Sequence, residues 1–385
     1  MKQRYAALFD DARPTLALLV AGVLSTVVLV TLPIFVAAMV AHFQWGAGEV
    51  GWLASADMMG SAIASLCAIP FIRRLPWRPA ACAAIAVVVA GNLASVHADD
   101  LYSLMAARVI AGLGNGLLLS IAYVGLCRSR NPDQYFGLYT FSQLGLQAVL
   151  LSLLPSFLSR HGLNMLYEVL AAIAVGTLPL VLLFPRVAPS RCGDPGCTAE
   201  VQPRGRRQTN AALGLFAQGA YFLAPAAAWS YLERIGQSFS LTLDSIGQAL
   251  SIASLTGIAG PLLVVALGVR APRMTSMTLG TGLSVAAMAL LMSGTGFVQF
   301  LVAACAFNFA WNFTFPYQMG LLAALDDSDA VPVLSLVVQL VALAVGPAIA
   351  TFLHPESGYR AILLACVGCY LVSLGIFRMS SPANG

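Results

Sequence analysis

Charge is what this sequence has least of. Of 385 residues only 9% are Asp, Glu, Lys or Arg, while 59% are hydrophobic and the mean hydropathy is +0.83. A soluble domain carries about 25% charged residues. Without that polar coat the chain cannot be a water-soluble globule, and it reads as an integral membrane protein. Lysine is scarcest of all: Lys2 is the only one, so nineteen of the twenty basic residues are arginine. The net charge of +4 is scattered through short loops rather than gathered on one face, which excludes a nucleic-acid surface. No GxxxxGK[ST] phosphate loop, HExxH metal helix or Ser/His/Asp arrangement occurs, so neither catalysis nor a metal or other cofactor is expected. The eight cysteines form no framework: six lie within or at the ends of apolar runs, where cysteine acts as a small hydrophobe. Cys192 and Cys197 share a stretch with no histidine to complete a metal set. His42, His97, His161 and His354 fall in expected outer loops or helix ends, where solvated histidine is the ordinary reading and pH sensing the alternative.

Apolar runs fill the rest. A spanning helix needs about 20 mostly apolar residues. Runs of that length lie near 14–41, 50–71, 79–97, 101–126, 135–158 and 164–184, then near 210–233, 244–268, 274–293, 297–324, 331–353 and 359–377. They are too long and too continuous for the alternating strands of a barrel. The expected fold is an all-α integral membrane protein with twelve transmembrane helices in two six-helix bundles. The first run is longer than a signal-peptide core and no small-x-small cleavage site follows it, so it is expected to stay as the first span.

One long polar stretch interrupts the pattern. Residues 185–209 hold Arg186, Arg191, Arg204, Arg206 and Arg207 against Asp194 and Glu200, with four prolines and three glycines, and read as a flexible basic linker. It separates an N-terminal bundle, 1–184, from a C-terminal one, 210–385. With the N-terminus in the cytoplasm and the loops alternating, sixteen basic residues fall inside and three, Arg160, Arg234 and Arg360, outside. That positive-inside bias places both termini and the linker in the cytoplasm, with the chain in the cell's inner (cytoplasmic) membrane. The exception is Asp326, Asp327 and Asp329, three acids on the expected cytoplasmic side.

The fourth run reads Arg108-Val-Ile-Ala-Gly112-Leu-Gly114-Asn-Gly116. With twelve spans in two halves, cytoplasmic termini and a basic central linker, the chain resembles the major facilitator superfamily (MFS), whose fourth helix carries a similar RxxxGxGxG signature. The second-to-third loop, IRRLPWRP, keeps Arg73, Arg74 and Arg78 of the family's loop motif but lacks its Asp and glycines. The segment from Gly257 and Gly260 to Gly268-Val-Arg270-Ala-Pro-Arg273 echoes it in the second half, again without the acid. The family's GPxxGG-like antiporter run is absent from the fifth span, FSQLGLQAVLLSLLPSF. The resemblance implies a secondary transporter, and implies that Arg108 takes part in proton coupling or organises the cavity.

An ionisable residue inside a span costs about 2.5–3.5 kcal/mol on insertion scales and usually faces a cavity or a partner. Asp57, in WLASADMMGSA of the second span, and Arg108 both lie about seven residues in from the same side. Removal from water disfavours a charged carboxylate and a neighbouring guanidinium favours it, a balance suited to a proton carrier. The competing readings are an ion pair locking two helices and an arginine snorkelling to the interface. The tenth span holds the richest amide and aromatic cluster: Asn308, Trp311, Asn312 and Phe315 recur at three and four residues and share a face, with Pro316 and Gln318 following. The stripe falls mid-helix, the depth at which transporters bind solute. Gln143 and Gln147 of the fifth span, and Gln218 with Tyr221 of the seventh, would complete its wall. Interhelical hydrogen bonding is the alternative for these amides. Glu233 and Arg234 end the seventh span and read as rim residues, as does Glu168.

The reading is a secondary active transporter, working as a monomer, that moves a small organic solute by alternating access with a proton as coupling ion. A neutral, aromatic-lined site suits a modest-sized aromatic or amphipathic molecule. Efflux of a drug or secreted metabolite by the same fold is one alternative. A membrane sensor or assembly partner without flux is another, and a membrane enzyme acting on lipid a third.

Overall fold

The computed structural model describes residues 12–31, 35, 39, 47–129, 131–186, 204–294, 296–325, 329–357 and 359–380. Every regular element among them is helical. In chain order these are α1 (Ala12–Leu24), α2 (Val27–Val30), α3 (Ala47–Ala68), α4 (Trp77–Val96), α5 (Leu101–Cys127), α6 (Pro132–Gly176), α7 (Leu178–Val181), α8 (Arg204–Ser238), α9 (Leu243–Leu267), α10 (Arg273–Ser293), α11 (Phe297–Leu325), α12 (Ala330–Ser357) and α13 (Tyr359–Ser380). Ten spans within them are long and apolar enough to cross a membrane. The expected second span is the 22-residue α3. The expected first is described over α1 and α2, and most of its remainder lies outside the described residues.

Local chemistry sets the helix boundaries. Asp100 caps α5, accepting from the backbone N–H of Tyr102 (2.9 Å) and Ser103 (3.0 Å), while the Ser103 hydroxyl sits 3.4 Å from the Asp100 N–H in return. Thr242 caps α9 through Ser245. α6 is two helices in sequence, broken at Gly162, where φ is +77°, a left-handed value that a side chain disfavours. It thus supplies both the fifth and the sixth expected spans. The expected linker is shorter than its composition suggests, because Arg204 to Thr209 already belong to α8. Arginine and glutamine are good helix formers once the prolines end. Residues 187–203, with Cys192 and Cys197, lie outside the described residues, as do Asp326 and Asp327; Asp329 is buried.

The chain divides into two compact units. One comprises Met1–Arg130, Ser142–Thr198 and Pro332–Val337; the other comprises Asn131–Phe141, Ala199–Val331 and Val338–Gly385. The first unit has two apolar cores. One gathers Leu18, Ile72, Trp77, Ala81, Ile121 and Phe184, and the other Phe35, Leu104, Leu163 and Tyr167. The second unit packs Val264, Met277, Tyr317, Leu322 and Phe377 together. Apolar side chains such as Phe71, Leu182, Phe352 and Leu255 stay exposed, as expected of surfaces solvated by lipid.

Candidate functional site

The first unit holds a buried charge cluster, and a four-residue period in two helices builds it. Asp57, Ser61 and Ser65 recur along α3, while Arg108, Gly112, Gly116 and Ser120 recur along α5, so each set lies on one face. The helices run parallel at a constant offset. The Ser61 hydroxyl donates to the Gly112 carbonyl (3.1 Å) and the Ser65 hydroxyl to the Gly116 carbonyl (3.3 Å), both 51 residues apart. Ser120 donates to the Ser65 hydroxyl (3.0 Å). Glycine makes the approach possible. A Cβ on Gly112 would collide with the Asp57 carbonyl, and one on Gly116 with the Ser61 carbonyl. On the other side, a Cβ on Gly114 would lie 2.5 Å from the Ala84 carbonyl of α4. The RxxxGxGxG run therefore lets α3 and α4 close onto α5.

That register sets Asp57 against Arg108, also 51 residues apart, with Arg108 Nη2 2.7 Å from Asp57 Oδ1. Arg108 Nη1 donates to Asn92 Oδ1 of α4 (2.9 Å), and the Asn92 amide donates in turn to the Val88 carbonyl (3.0 Å). The guanidinium belongs to a residue that is 1% exposed, and it packs against two neighbouring aromatic rings, Phe35 at 5.7 Å and Tyr167 at 5.6 Å, which themselves meet edge-on. Desolvated cation–π contacts of this kind contribute about 2 kcal/mol. The Asp57 side chain keeps 12% of its surface. Two donors of the cluster, Arg108 Nε and the Tyr167 hydroxyl, are buried without a hydrogen-bond partner. Beside it a pocket is lined by Ser25, Val88, Asn92, Asn115, Leu118 and Leu170, among others.

The pairing expected from the sequence is thus present, while three of its partners escape sequence reading. Asn92, Phe35 and Tyr167 come from other helices, and their lateral placement is not written in any spacing. The serine stripe of α3 is a legible signal, since its period matches that of the glycines of α5.

In the second unit, the α11 stripe is part buried and part open. Asn308 and Phe315 are buried, whereas Trp311 and Asn312 are half-exposed. Asn312 Nδ2 donates to the Asn308 carbonyl (2.9 Å), and Asn308 Nδ2 and Gln318 Oε1 are buried without partners. Aromatic rings extend the stripe. Trp229 stacks on Phe307, Phe307 meets Trp311, and Phe222 stands edge-on to both Trp311 (6.3 Å) and Phe315 (5.7 Å). Gln218 and Tyr221 are fully buried near this stripe, Gln218 against Met319 and Tyr221 reaching the Ala310 carbonyl at 3.5 Å. Gln143 and Gln147 belong to the first unit, where Gln147 donates to the Val30 carbonyl (3.1 Å). Glu233 and Arg234 are exposed. Glu233 accepts from Gln237, and Arg234 lies over the Tyr231 ring. No group of His, Cys, Asp and Glu that could hold a metal occurs among the described residues.

Ten helices of spanning length among the described residues, together with a buried charge pair, define an all-α multi-spanning membrane protein. The chain belongs to the Major Facilitator Superfamily, whose model matches residues 16–330. It is similar in fold to the E. coli fucose:proton symporter FucP (TM-score 0.77, 15% identity, 98% of each chain). It is likewise similar to the human organic anion transporter MFSD10 (TM-score 0.73, 16% identity, 98% of this chain and 99% of that one). A bacterial homologue of the iron transporter ferroportin also matches (TM-score 0.75, 13% identity, 96% and 99%). No curated protein sequence matches the chain. Membership makes it a secondary transporter of a small solute, not an enzyme.

Proposed function

We propose that the chain is a proton-coupled transporter that moves a small organic solute across the cytoplasmic membrane by alternating access. Twelve spans in two six-helix halves, joined by the basic linker with both termini in the cytoplasm, would form the moving parts. The observation that carries this reading is the Arg108–Asp57 pair, 2.7 Å apart inside the first unit with the carboxylate side chain still 12% exposed. Removing one partner of a buried pair costs about 3–5 kcal/mol. Proton arrival at Asp57 neutralises one partner without removing it, so it can shift a conformational balance by a comparable amount. The neutral stripe of Asn308, Trp311, Asn312 and Phe315, with Gln318, Gln218 and Tyr221, is assigned to the solute. Along the described spans of the second unit no Asp, Glu, Lys or Arg interrupts it between Gln208 and Leu232, Ser245 and Val269, or Met274 and Leu325.

FucP, similar in fold, is itself a proton symporter, which is consistent with this assignment. Reconstituted protein and a pH step test it. Uptake by the native chain is expected to follow the proton gradient. Asp57→Asn is expected to abolish that dependence while retaining solute counterflow. Gradient-driven accumulation that survives in Asp57→Asn refutes the coupling role.

A further inference from the structure

A guanidinium offers five N–H donors in a flat fork. Asn92 takes one at Nη1 and Asp57 one at Nη2, through a single carboxylate oxygen. Nε, which shares an edge with Nη2, is buried and has no acceptor. That edge matches the two oxygens of a carboxylate, and here it is half used. The Tyr167 hydroxyl, whose ring packs on the same guanidinium, is a second buried donor lacking an acceptor. A cluster with two donors too many and one oxygen too few is built for an oxyanion it does not yet hold. The pocket beside it, where Asn92 is met by the apolar side chains of Val88, Leu118 and Leu170, suits an organic body rather than a bare ion.

We propose that the Arg108 fork binds the carboxylate of an organic monoanion, and that the solute enters this site only when Asp57 carries a proton. This rests on the transport reading above and names the class of its solute. Charge balance gives the coupling. The resting cluster holds one cation and one carboxylate, Arg108 and Asp57, and Arg108 is the only buried arginine or lysine among the described residues. A second carboxylate would put two anions on one guanidinium in a low-dielectric interior. One proton on Asp57 cancels the excess. Asp57 then gives up Nη2, the solute takes Nη2 and Nε, and the Tyr167 hydroxyl becomes available as a third donor. The cluster is neutral both before and after loading, so one proton travels with each monoanion and the step moves no net charge. Few charged or titratable side chains meet here among the described residues. Asp57 comes from α3, Arg108 from α5 and Tyr167 from the distal part of α6, while α4 contributes neutral Asn92 and the Phe35 ring packs on the guanidinium beside Tyr167.

The test is equilibrium binding to the purified full chain of benzoate, phenylacetate and octanoate, each beside its primary amide. Measurements are made well above pH ~4.3, where carboxylic acids are ionised. At least one acid is expected to bind about tenfold more tightly than its amide, a difference of about 1.4 kcal/mol. Its affinity is expected to fall as pH rises, by up to about tenfold per unit, as linkage to one proton requires. Asp57→Asn, which mimics the protonated acid, keeps acid binding but loses the pH slope. Arg108→Lys keeps the charge but not the fork, and is expected to lose the preference for acid over amide. Tyr167→Phe keeps the fold, read by its elution profile, and weakens acid binding severalfold. Equal binding of acids and amides, or no binding of any acid, overturns the proposal. If a neutral solute alone shows Asp57-dependent, pH-driven counterflow, the fork holds only water: the anion is refuted and proton-coupled transport stands.

Discussion

Arg273 binds Asp133 side-on. Its Nε lies 3.0 and 2.9 Å from the two carboxylate oxygens and its Nη2 2.9 Å from Oδ2. The loop around Arg273 lacks the acid of the family's loop motif, and a carboxylate 140 residues upstream pairs with this arginine instead. Three further interactions seat the first turns of α6 in the second unit. Gln134 donates to the Val265 carbonyl (3.1 Å), Phe136 stands edge-on to Phe315, and Asp133 fills the space where Gly320 has no side chain.

Asp133→Asn should therefore destabilise the protein by roughly 1–3 kcal/mol, the cost of leaving a charge-assisted hydrogen bond unmade. Gly320→Ala, whose Cβ would strike the Asp133 carboxylate, should cost a similar amount. Because both act on one pair, the double variant should fall well short of the sum. Thermal unfolding of the two singles and the double measures this, and strict additivity would refute the shared mechanism.

Gly112 gives a second prediction. Its Cβ would collide with the Asp57 carbonyl, so Gly112→Ala must push α3 and α5 apart. Such overpacking costs about 1–3 kcal/mol. The shift should also lengthen the Arg108–Asp57 pair, and proton-driven uptake should fall with stability. Gly145 is the control: a methyl group there would meet nothing within 4 Å, so Gly145→Ala should be neutral or slightly stabilising.

The α5 cap makes stability depend on acid. Hydrogen bonds from the backbone and side chain of Ser103 hold the Asp100 carboxyl below its usual range, with the Tyr102 backbone helping and burial opposing. A group so lowered adds stability above its unfolded value, and the contribution disappears as pH falls through the folded one. Asp100→Asn, which keeps the cap without the charge, should flatten the acid-side slope of melting temperature against pH. Asp100→Ala should lose both slope and cap. An unaltered slope in both variants would show that the cap is energetically silent.

Asn308 separates solute binding from folding. Its amide nitrogen is buried without a partner, so Asn308→Leu should leave thermal stability within about 1 kcal/mol. If the α11 stripe holds solute, the same change should weaken counterflow at least about tenfold, the loss of one buried hydrogen bond to a ligand. A large fall in stability with intact counterflow would instead make Asn308 a packing residue.

What can be read from the sequence follows the strength of each physical signal. The spans from α4 to α13 are long apolar runs, and their cost in water fixes them regardless of neighbours. Asp57 and Arg108 are conspicuous for the same reason, as charges where charge is costly. Asn92 and Tyr167 are not, because a neutral amide and a phenol are cheap in a span and only lateral packing brings them to the guanidinium. Asp133 escapes a sequence reading for a related reason. A loop motif directs attention to acids beside its arginines, and the fold supplies this one from another helix.

The α3–α5 register has a consequence for how this site can change. Each residue added to a helix turns everything beyond it by about 100°. Asp57, Ser61 and Ser65 meet Arg108, Gly112 and Gly116 at one offset, so a single insertion inside either stretch would swing every rung beyond it off its partner. The two helices form a keyed joint. Its charge can be exchanged by substitution, but it can be moved along the membrane normal only in whole turns, taken by both helices together.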